Sequence, residues 1–285
     1  MAQWRIVQRD MRDVLGEGAC WSPRDQAFYW VDILAPALNR LSLADSEITR
    51  WAMPEPLGWV VRRERGGLIG GFRSGVATID LEPLTIRPIV DPEPDLPGNR
   101  LNDGKADAQG RIWFGTMDMA QEQDSGALYR FDPDQRLTRL DRGYRVPNGP
   151  AFSLDGQWLY HSDTARRTIY RFALAPDGSV ADRQPFIQFG DDDGYPDGMT
   201  VDAAGGLWVA HWGGGRISRF APDGTRDRAI ALPARQITNM AFAGDRLDRL
   251  FVTSAATGLP ESRYDGALFE VDAGATGMPT HEFHG

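Results

Sequence analysis

The chain has 285 residues, 41% of them hydrophobic and 25% charged, with a net charge of -9. Nine Trp, thirteen Phe and seven Tyr supply ample core material for a globular protein. The acidic balance argues against a nucleic-acid partner, which needs a basic face to neutralise phosphates.

A single cysteine, Cys20, allows neither an internal disulfide nor a thiolate metal cluster. The amino-terminal Met1-Ala2-Gln3-Trp4-Arg5-Ile6-Val7 lacks an apolar signal core, and no run approaches a membrane span. The expectation is a cytoplasmic protein without a membrane partner, monomeric or a weak homo-oligomer. Lys105 is the one lysine among 31 basic residues.

Helical periodicity is almost absent, whereas short strand-like runs alternate with turn residues, the pattern of an all-β fold. The last repeat is expected to be completed by a strand from the amino-terminal segment, such as residues 4–8. The first repeat brings Gly16-Glu17-Gly18, the aromatic run Ala27-Phe28-Tyr29-Trp30 and a strand at 37–41. The second has Leu57-Gly58-Trp59, Gly67-Leu68-Ile69-Gly70 and 75–79, and the third Leu101-Asn102-Asp103-Gly104, Arg111-Ile112-Trp113-Phe114 and 127–131. The fourth carries Pro147-Asn148-Gly149, Trp158-Leu159-Tyr160-His161 and 168–172. In the fifth stand Pro196-Asp197-Gly198, Gly206-Leu207-Trp208-Val209 and 216–220, and in the sixth Thr238-Asn239-Met240, Arg249-Leu250-Phe251-Val252 and 267–271.

Taking Tyr29, Ile69, Trp113, Tyr160, Trp208 and Phe251 as anchors, successive spacings are 40, 44, 47, 48 and 43 residues. That is the period of a four-stranded propeller blade. The fold expected is therefore a six-bladed β-propeller of four-stranded antiparallel blades, one domain over residues 1–285. A linear solenoid would need capping repeats, which the sequence lacks.

Eleven or twelve residues before the anchors stand Glu17, Gly58, Asn102, Asn148, Asp197 and Asn239. Asp and Asn beside Gly or Pro are ordinary turn formers when taken singly. Five oxygen-bearing side chains in the same phase of six blades, however, would converge on one mouth of the channel. Such a set is costly to desolvate unless something cationic or polar binds it. Oxygen donors without Cys or His suit one hard divalent cation, Ca²⁺, Mg²⁺ or Mn²⁺, with Zn²⁺ and Fe²⁺ also compatible. His161 and His211, just past their anchors, read as structural, while His281 and His284 fall in a polar tail. No serine nucleophile stands in a G-x-S-x-G context, and Gly213-Gly214-Gly215 lacks the lysine of a phosphate-binding loop.

At these residues the chain resembles the SMP-30/gluconolactonase/luciferin-regenerating-enzyme-like family of regucalcin-like sugar lactonases. The motifs are Leu15-Gly16-Glu17-Gly18 with Trp21, Tyr29-Trp30-Val31-Asp32, Asn99-Arg100-Leu101-Asn102-Asp103-Gly104-Lys105, Trp113-Phe114-Gly115-Thr116-Met117, Pro147-Asn148-Gly149 and Pro196-Asp197-Gly198-Met199. The resemblance implies a six-bladed propeller, a divalent metal ion bound by Glu17, Asn148 and Asp197, Asp197 doubling as catalytic base, and Arg100 and Asn102 contacting a sugar lactone. It assigns Asp118, the acid after Gly-Thr-Met, to the sugar as well, although Met119 and Ala120 depart from the pattern of relatives. The implied activity is hydrolysis of a pentono- or hexonolactone to the aldonic acid. Two other readings stay open: a non-catalytic metal- or sugar-binding propeller, and a hydrolase of non-sugar lactones, esters or organophosphates.

Overall fold

In the computed structural model, which describes residues 4–285, the repeats form six four-stranded antiparallel sheets. Met1–Gln3, the start of the segment read for a signal core, lie outside the described residues. Among the described residues no helix is long and apolar enough to cross a membrane. The inner strands of blades 1 to 6 are Gly16–Ser22, Leu57–Arg62, Asn99–Ala106, Pro147–Phe152, Tyr195–Val201 and Gln236–Ala243. Each contacts the inner strands of both neighbouring blades, closing a ring around a central channel. All six anchors lie in second strands, which run from Ala27–Asp32 in blade 1 to Arg249–Ala255 in blade 6.

Blade 6 joins the two ends of the chain. Trp4 pairs with Val271 and Ile6 with Phe269, so the amino-terminal strand completes the last blade as its outermost member. Neighbouring blades interlock through aromatic pairs: Phe28 of blade 1 lies 4.9 Å from Phe251 of blade 6, and Trp59 of blade 2 lies 5.8 Å from Phe114 of blade 3. The turn acids before two anchors have a second task. The Trp113 indole N–H donates to Asp107 at 2.7 Å, and Arg111 pairs with the same carboxylate at 2.6 Å. Trp208, Asp202 and Arg219 repeat the arrangement at 2.8 and 2.6 Å. The buried indole N–H groups of Trp113 and Trp208 thereby have acceptors.

The feature that positions the site is a register slip repeated in every inner strand. Pairing with the second strand shifts between Glu17 and Cys20, Leu57 and Trp59, Leu101 and Gly104, Asn148 and Ala151, Pro196 and Met199, and Ile237 and Met240. A bulge unpairs a residue and re-aims its side chain. Each slip falls at the position that the sequence pattern puts eleven or twelve residues before the anchor. Blade 2 carries glycine there because the neighbouring backbone crosses it: a Cβ on Gly58 would lie 2.1 Å from the Asn102 carbonyl oxygen.

The opposite end of the channel is covered by the carboxy-terminal segment. Its backbone bonds to blade 5 through Ala203 N–H and Thr276 O, and to blade 6 through Gly277 N–H and Leu247 O. It then reaches blade 2, where the Phe283 N–H donates to Arg62 O, and blade 3, where the His284 N–H donates to Gly110 O. Phe283 is 2% exposed and stacks on Phe131 with ring centroids 5.5 Å apart. The tail, polar by sequence, is a strap with an aromatic anchor. Above it lies a cavity of about 110 Å³ bordered by Cys20, Val60, Lys105, Phe152, Thr200, Ala241 and tail residues Met278 to His281.

Candidate active site

At the bulged end the channel opens into a cavity of about 460 Å³. Two rows of side chains build its wall. One row precedes each bulge: Leu15, Arg100, Val146 and Tyr195 of blades 1, 3, 4 and 5. The other stands across the ladder from it: Ile33, Met117, Thr164 and Trp212, joined by Arg100 pairing with Met117, Tyr195 with Trp212, and backbone bonds of Ile33 to Leu15 and Thr164 to Val146. The bulges add Glu17, Asn102, Asn148 and Asp197 to the same cavity, and Gln121, Arg145 and Ala165 complete it. The structure thus brings together Glu17, Asn148, Asp197, Arg100 and Asn102.

A chain of hydrogen bonds crosses three blades and fixes the amides. The Arg100 Nη1 donates to Asn102 Oδ1 at 2.7 Å and to Leu101 O at 2.9 Å. Asn102 Nδ2 donates to Asn148 Oδ1 at 2.9 Å and to Pro147 O at 2.8 Å. Asn148 Nδ2 donates to Thr164 Oγ1 at 2.8 Å, and Thr164 in turn donates to Pro196 O at 2.6 Å. Both N–H groups of Asn102 are therefore engaged, which leaves its Oδ1 as the group able to meet a further partner. Asn148 likewise keeps a lone pair on Oδ1.

The electrostatics are those of a site with too many acceptors. Burial pushes the Glu17 carboxyl up to about 8, the Asp103 charge adding to it, while the Asn239 amide and the Gly18 N–H offset part. Burial likewise raises Asp103 to about 6, held back by Lys105 and by N–H groups of Gly104 and Gly149. Asp197 is raised well above the ordinary carboxylate range by burial, with Glu17 and Asp103 adding to the effect. Arg100 is pushed down to about 10 by the same burial, with Glu17 and Asp197 pulling it back up.

This donor set fits a divalent cation: two carboxylates and one carboxamide oxygen in a buried, acidic, oxygen-rich cluster, where positive charge relieves the mutual repulsion. Among the described residues no three Asp, Glu, His or Cys side chains converge as metal ligands, so the fit depends on Asn148 as the third donor.

Asp118 does not join the cluster. It follows Met117 on the strand and so faces the other side, since successive strand residues alternate. Its carboxylate accepts from the backbone N–H groups of Ala120, Glu122 and Gln123 and shapes its own loop. Gln121 and Arg145 occupy the cavity flank instead. His161 and His211 are fully buried, pushed down to about 3 and about 4 by burial, and lie outside the cavity lining. Sequence reasoning missed Thr164 and Ile33 as wall residues. Each stands four residues after its anchor, as Trp212 does, so the periodicity that found the oxygen ring would have found the wall if followed forwards.

The family model described as SMP-30/Gluconolactonase/LRE-like region matches residues 15–256. The chain is 39% identical over 243 residues to a 6-deoxy-6-sulfogluconolactonase of Pseudomonas putida, covering 85% of this chain and 84% of that protein. It is 38% identical over 285 residues to an L-arabinolactonase of Azospirillum brasilense, covering 97% and 94%. Among solved structures it superimposes on a calcium-binding protein, regucalcin, of Agrobacterium tumefaciens with a TM-score of 0.93 at 28% identity, over 98% of this chain and 97% of the other.

Proposed function

This chain belongs to the SMP-30/gluconolactonase/LRE-like family, and we propose that it opens a sugar lactone to the aldonic acid with a divalent metal ion held by Glu17, Asn148 and Asp197. The observation that carries this reading is that these oxygen donors, from blades 1, 4 and 5, share one cavity with Arg100 and Asn102. The names of the two lactonase relatives support a sugar lactone as substrate, of pentono or hexono size.

A bound cation supplies Lewis acidity to the lactone carbonyl and stabilises charge developing on its oxygen. The chain's own groups do the rest. Asp197, one of the carboxylates in the cavity, accepts the proton of the attacking water. Arg100 commits Nη1 to Leu101 and Asn102, which orients the guanidinium and leaves its other N–H groups for ring hydroxyls. Asn102 meets a hydroxyl as an acceptor through Oδ1, because its amide hydrogens are taken. Leu15, Ile33, Tyr195 and Trp212 offer an apolar wall to the C–H face of the sugar. Holding the carbonyl and the base in one rigid frame converts binding into rate.

The test is a pH-stat screen of pentono- and hexonolactones on metal-stripped protein, with Ca²⁺, Mg²⁺, Mn²⁺, Zn²⁺ and Fe²⁺ restored one at a time. Turnover that returns with a cation supports the reading. Full turnover in metal-free protein overturns the metal assignment, and a bound cation without turnover of any lactone points to a binding propeller.

A further inference from the structure

Asn239, the oxygen-ring member from blade 6, is absent from the cavity lining, yet it is 2% exposed and sits among the site's carboxylates. Its Nδ2 donates to Glu17 Oε2 at 3.0 Å and to Asp103 Oδ2 at 3.2 Å. Its Oδ1 accepts the Met240 N–H at 2.8 Å, which fixes which end of the amide faces the carboxylates. Its backbone is pinned too: the Asn239 N–H donates to Thr253 Oγ1 at 3.0 Å, and Thr253 Oγ1 donates back to the Asn239 carbonyl at 3.2 Å. The preceding residue, Thr238, donates to the Gly16 carbonyl, immediately before Glu17. On the far side the amide lies against Gly198, where a Cβ would fall 2.4 Å from Asn239 Cγ. The residue next to Asp197 is therefore a glycine that makes room for this amide.

The consequence for Glu17 is specific. Its Oε2 accepts from Asn239 and from the Gly18 N–H at 3.1 Å, so that oxygen is occupied on the protein side. Oε1 is the oxygen left for the cavity. Asp103, held by the same Nδ2, also accepts the Gly149 N–H at 3.0 Å, next to Asn148. One amide group thus ties the Glu17 strand, the Asp103 strand and, through Asp103, the Asn148 turn into a common frame. This junction lies at the seam where blade 6 meets blade 1 and the ring closes.

We propose that Asn239 is a positioning residue for the metal site: it holds Glu17 to a single outward oxygen and separates the Glu17 and Asp103 carboxylates, without touching metal or substrate itself. The proposal rests on the metal reading above and deepens it. Outer donors of this kind typically change metal affinity 10–100-fold when removed.

The experiment is calorimetric titration of metal-stripped protein with Ca²⁺, Mn²⁺ and Zn²⁺ separately, for wild type, Asn239→Leu and Asn239→Ala, alongside the melting temperature of each apoprotein. Leu matches the amide in size and removes its donor; Ala removes the donor without demanding space, should Leu not fold. The expected result is metal affinity weakened about 10–100-fold in a folded variant, with kcat largely restored at saturating metal. Wild-type affinity in folded Leu or Ala variants overturns the positioning role. A wild-type apoprotein that binds none of the three cations overturns the metal reading, and this proposal with it.

Discussion

The two ends of the channel are built from the same six strands and differ in almost every property. At the bulged end the inner strands present Glu17, Asn102, Asn148 and Asp197 to a cavity of about 460 Å³. A few residues further along the same strands stand Cys20, Val60, Lys105, Phe152, Thr200 and Ala241, around about 110 Å³ capped by the carboxy-terminal strap. The difference is made by the register slips between these two levels. Before the slip the strands carry polar side chains into a frame of cross-blade hydrogen bonds; beyond it the regular ladder resumes and the channel is mainly apolar. On the proposed reading, chemistry is confined to one end and the other serves closure. If that division is right, changes at the two ends should separate cleanly into loss of rate and loss of stability.

The largest effect is expected at Asp197. Asn is nearly isosteric and keeps a carbonyl oxygen for a cation, but it cannot accept a proton. Asp197→Asn should lower kcat by about 10²–10⁴-fold, the scale of general acid–base catalysis, and added metal should not restore it. Glu17→Gln, with a ligand role alone, should be largely rescued at saturating metal by mass action. Steady-state kinetics across a metal titration reads both. Equal rescue of the two variants would move the base elsewhere, Asp103 being another buried carboxyl of the site that burial raises, to about 6.

The second effect belongs to the strap. Phe283 is nearly fully buried against Phe131, and cutting it back to Ala should destabilise the fold by about 3 kcal/mol. Because the strap's backbone hydrogen bonds go to Ala203, Leu247, Arg62 and Gly110, none of which lines the active-site cavity, kcat/KM of the folded variant should stay within about twofold of wild type. Thermal melts and lactone kinetics on Phe283→Ala check the pair of statements. A strong loss of rate at full folding would mean that the two ends communicate along the inner strands.

Much of this was legible in the sequence because a propeller repeats itself. Six aromatic anchors at near-constant spacing announce six blades, and a polar residue at one phase before them marks the bulges. Within the site, legibility ended where function depends on alternation or long-range contact. Asp118 is one residue past Met117, and that single step turns it from the cavity to its own loop. Asn239 was visible in the ring, but its partners Glu17 and Asp103 are 222 and 136 residues away, so its role needed the closed ring. The strap was unreadable for the same reason: Met278-Pro279-Thr280-His281 has no strand pattern, and the segment is held by long-range backbone hydrogen bonds to blades 2, 3, 5 and 6 together with the buried ring of Phe283.

A smaller and more selective effect is expected at Arg100. Its Nη1 is spent on Leu101 and Asn102, so truncation removes both the orientation of Asn102 and the donors left for hydroxyls. Arg100→Ala should reduce kcat/KM about tenfold or more on polyhydroxylated lactones, in line with the loss of a charged hydrogen bond, and clearly less on an unsubstituted lactone. Measured on both substrates with metal content verified, an equal loss would assign Arg100 to the frame of the site and not to the sugar.

The smallest effect concerns Cys20, which sits at the blind end. Burial pushes its thiol up to about 12, with Lys105 offsetting part, so little of the reactive thiolate forms at pH 8. The side chain is half-buried and borders the small cavity that Met278 to His281 of the strap also line. A maleimide probe should therefore label native protein slowly, and turnover should be unchanged by whatever labelling occurs without unfolding. Phe283→Ala should accelerate labelling, because loosening the strap opens that cavity without altering the thiol itself. Mass spectrometry of the labelled fraction against time, with lactone turnover assayed on the same samples, reads both outcomes. Fast labelling of wild type that also stops turnover would place Cys20 in the chemistry and break the division between the two ends; equal slow labelling in both proteins would show that the strap stays shut without its aromatic anchor.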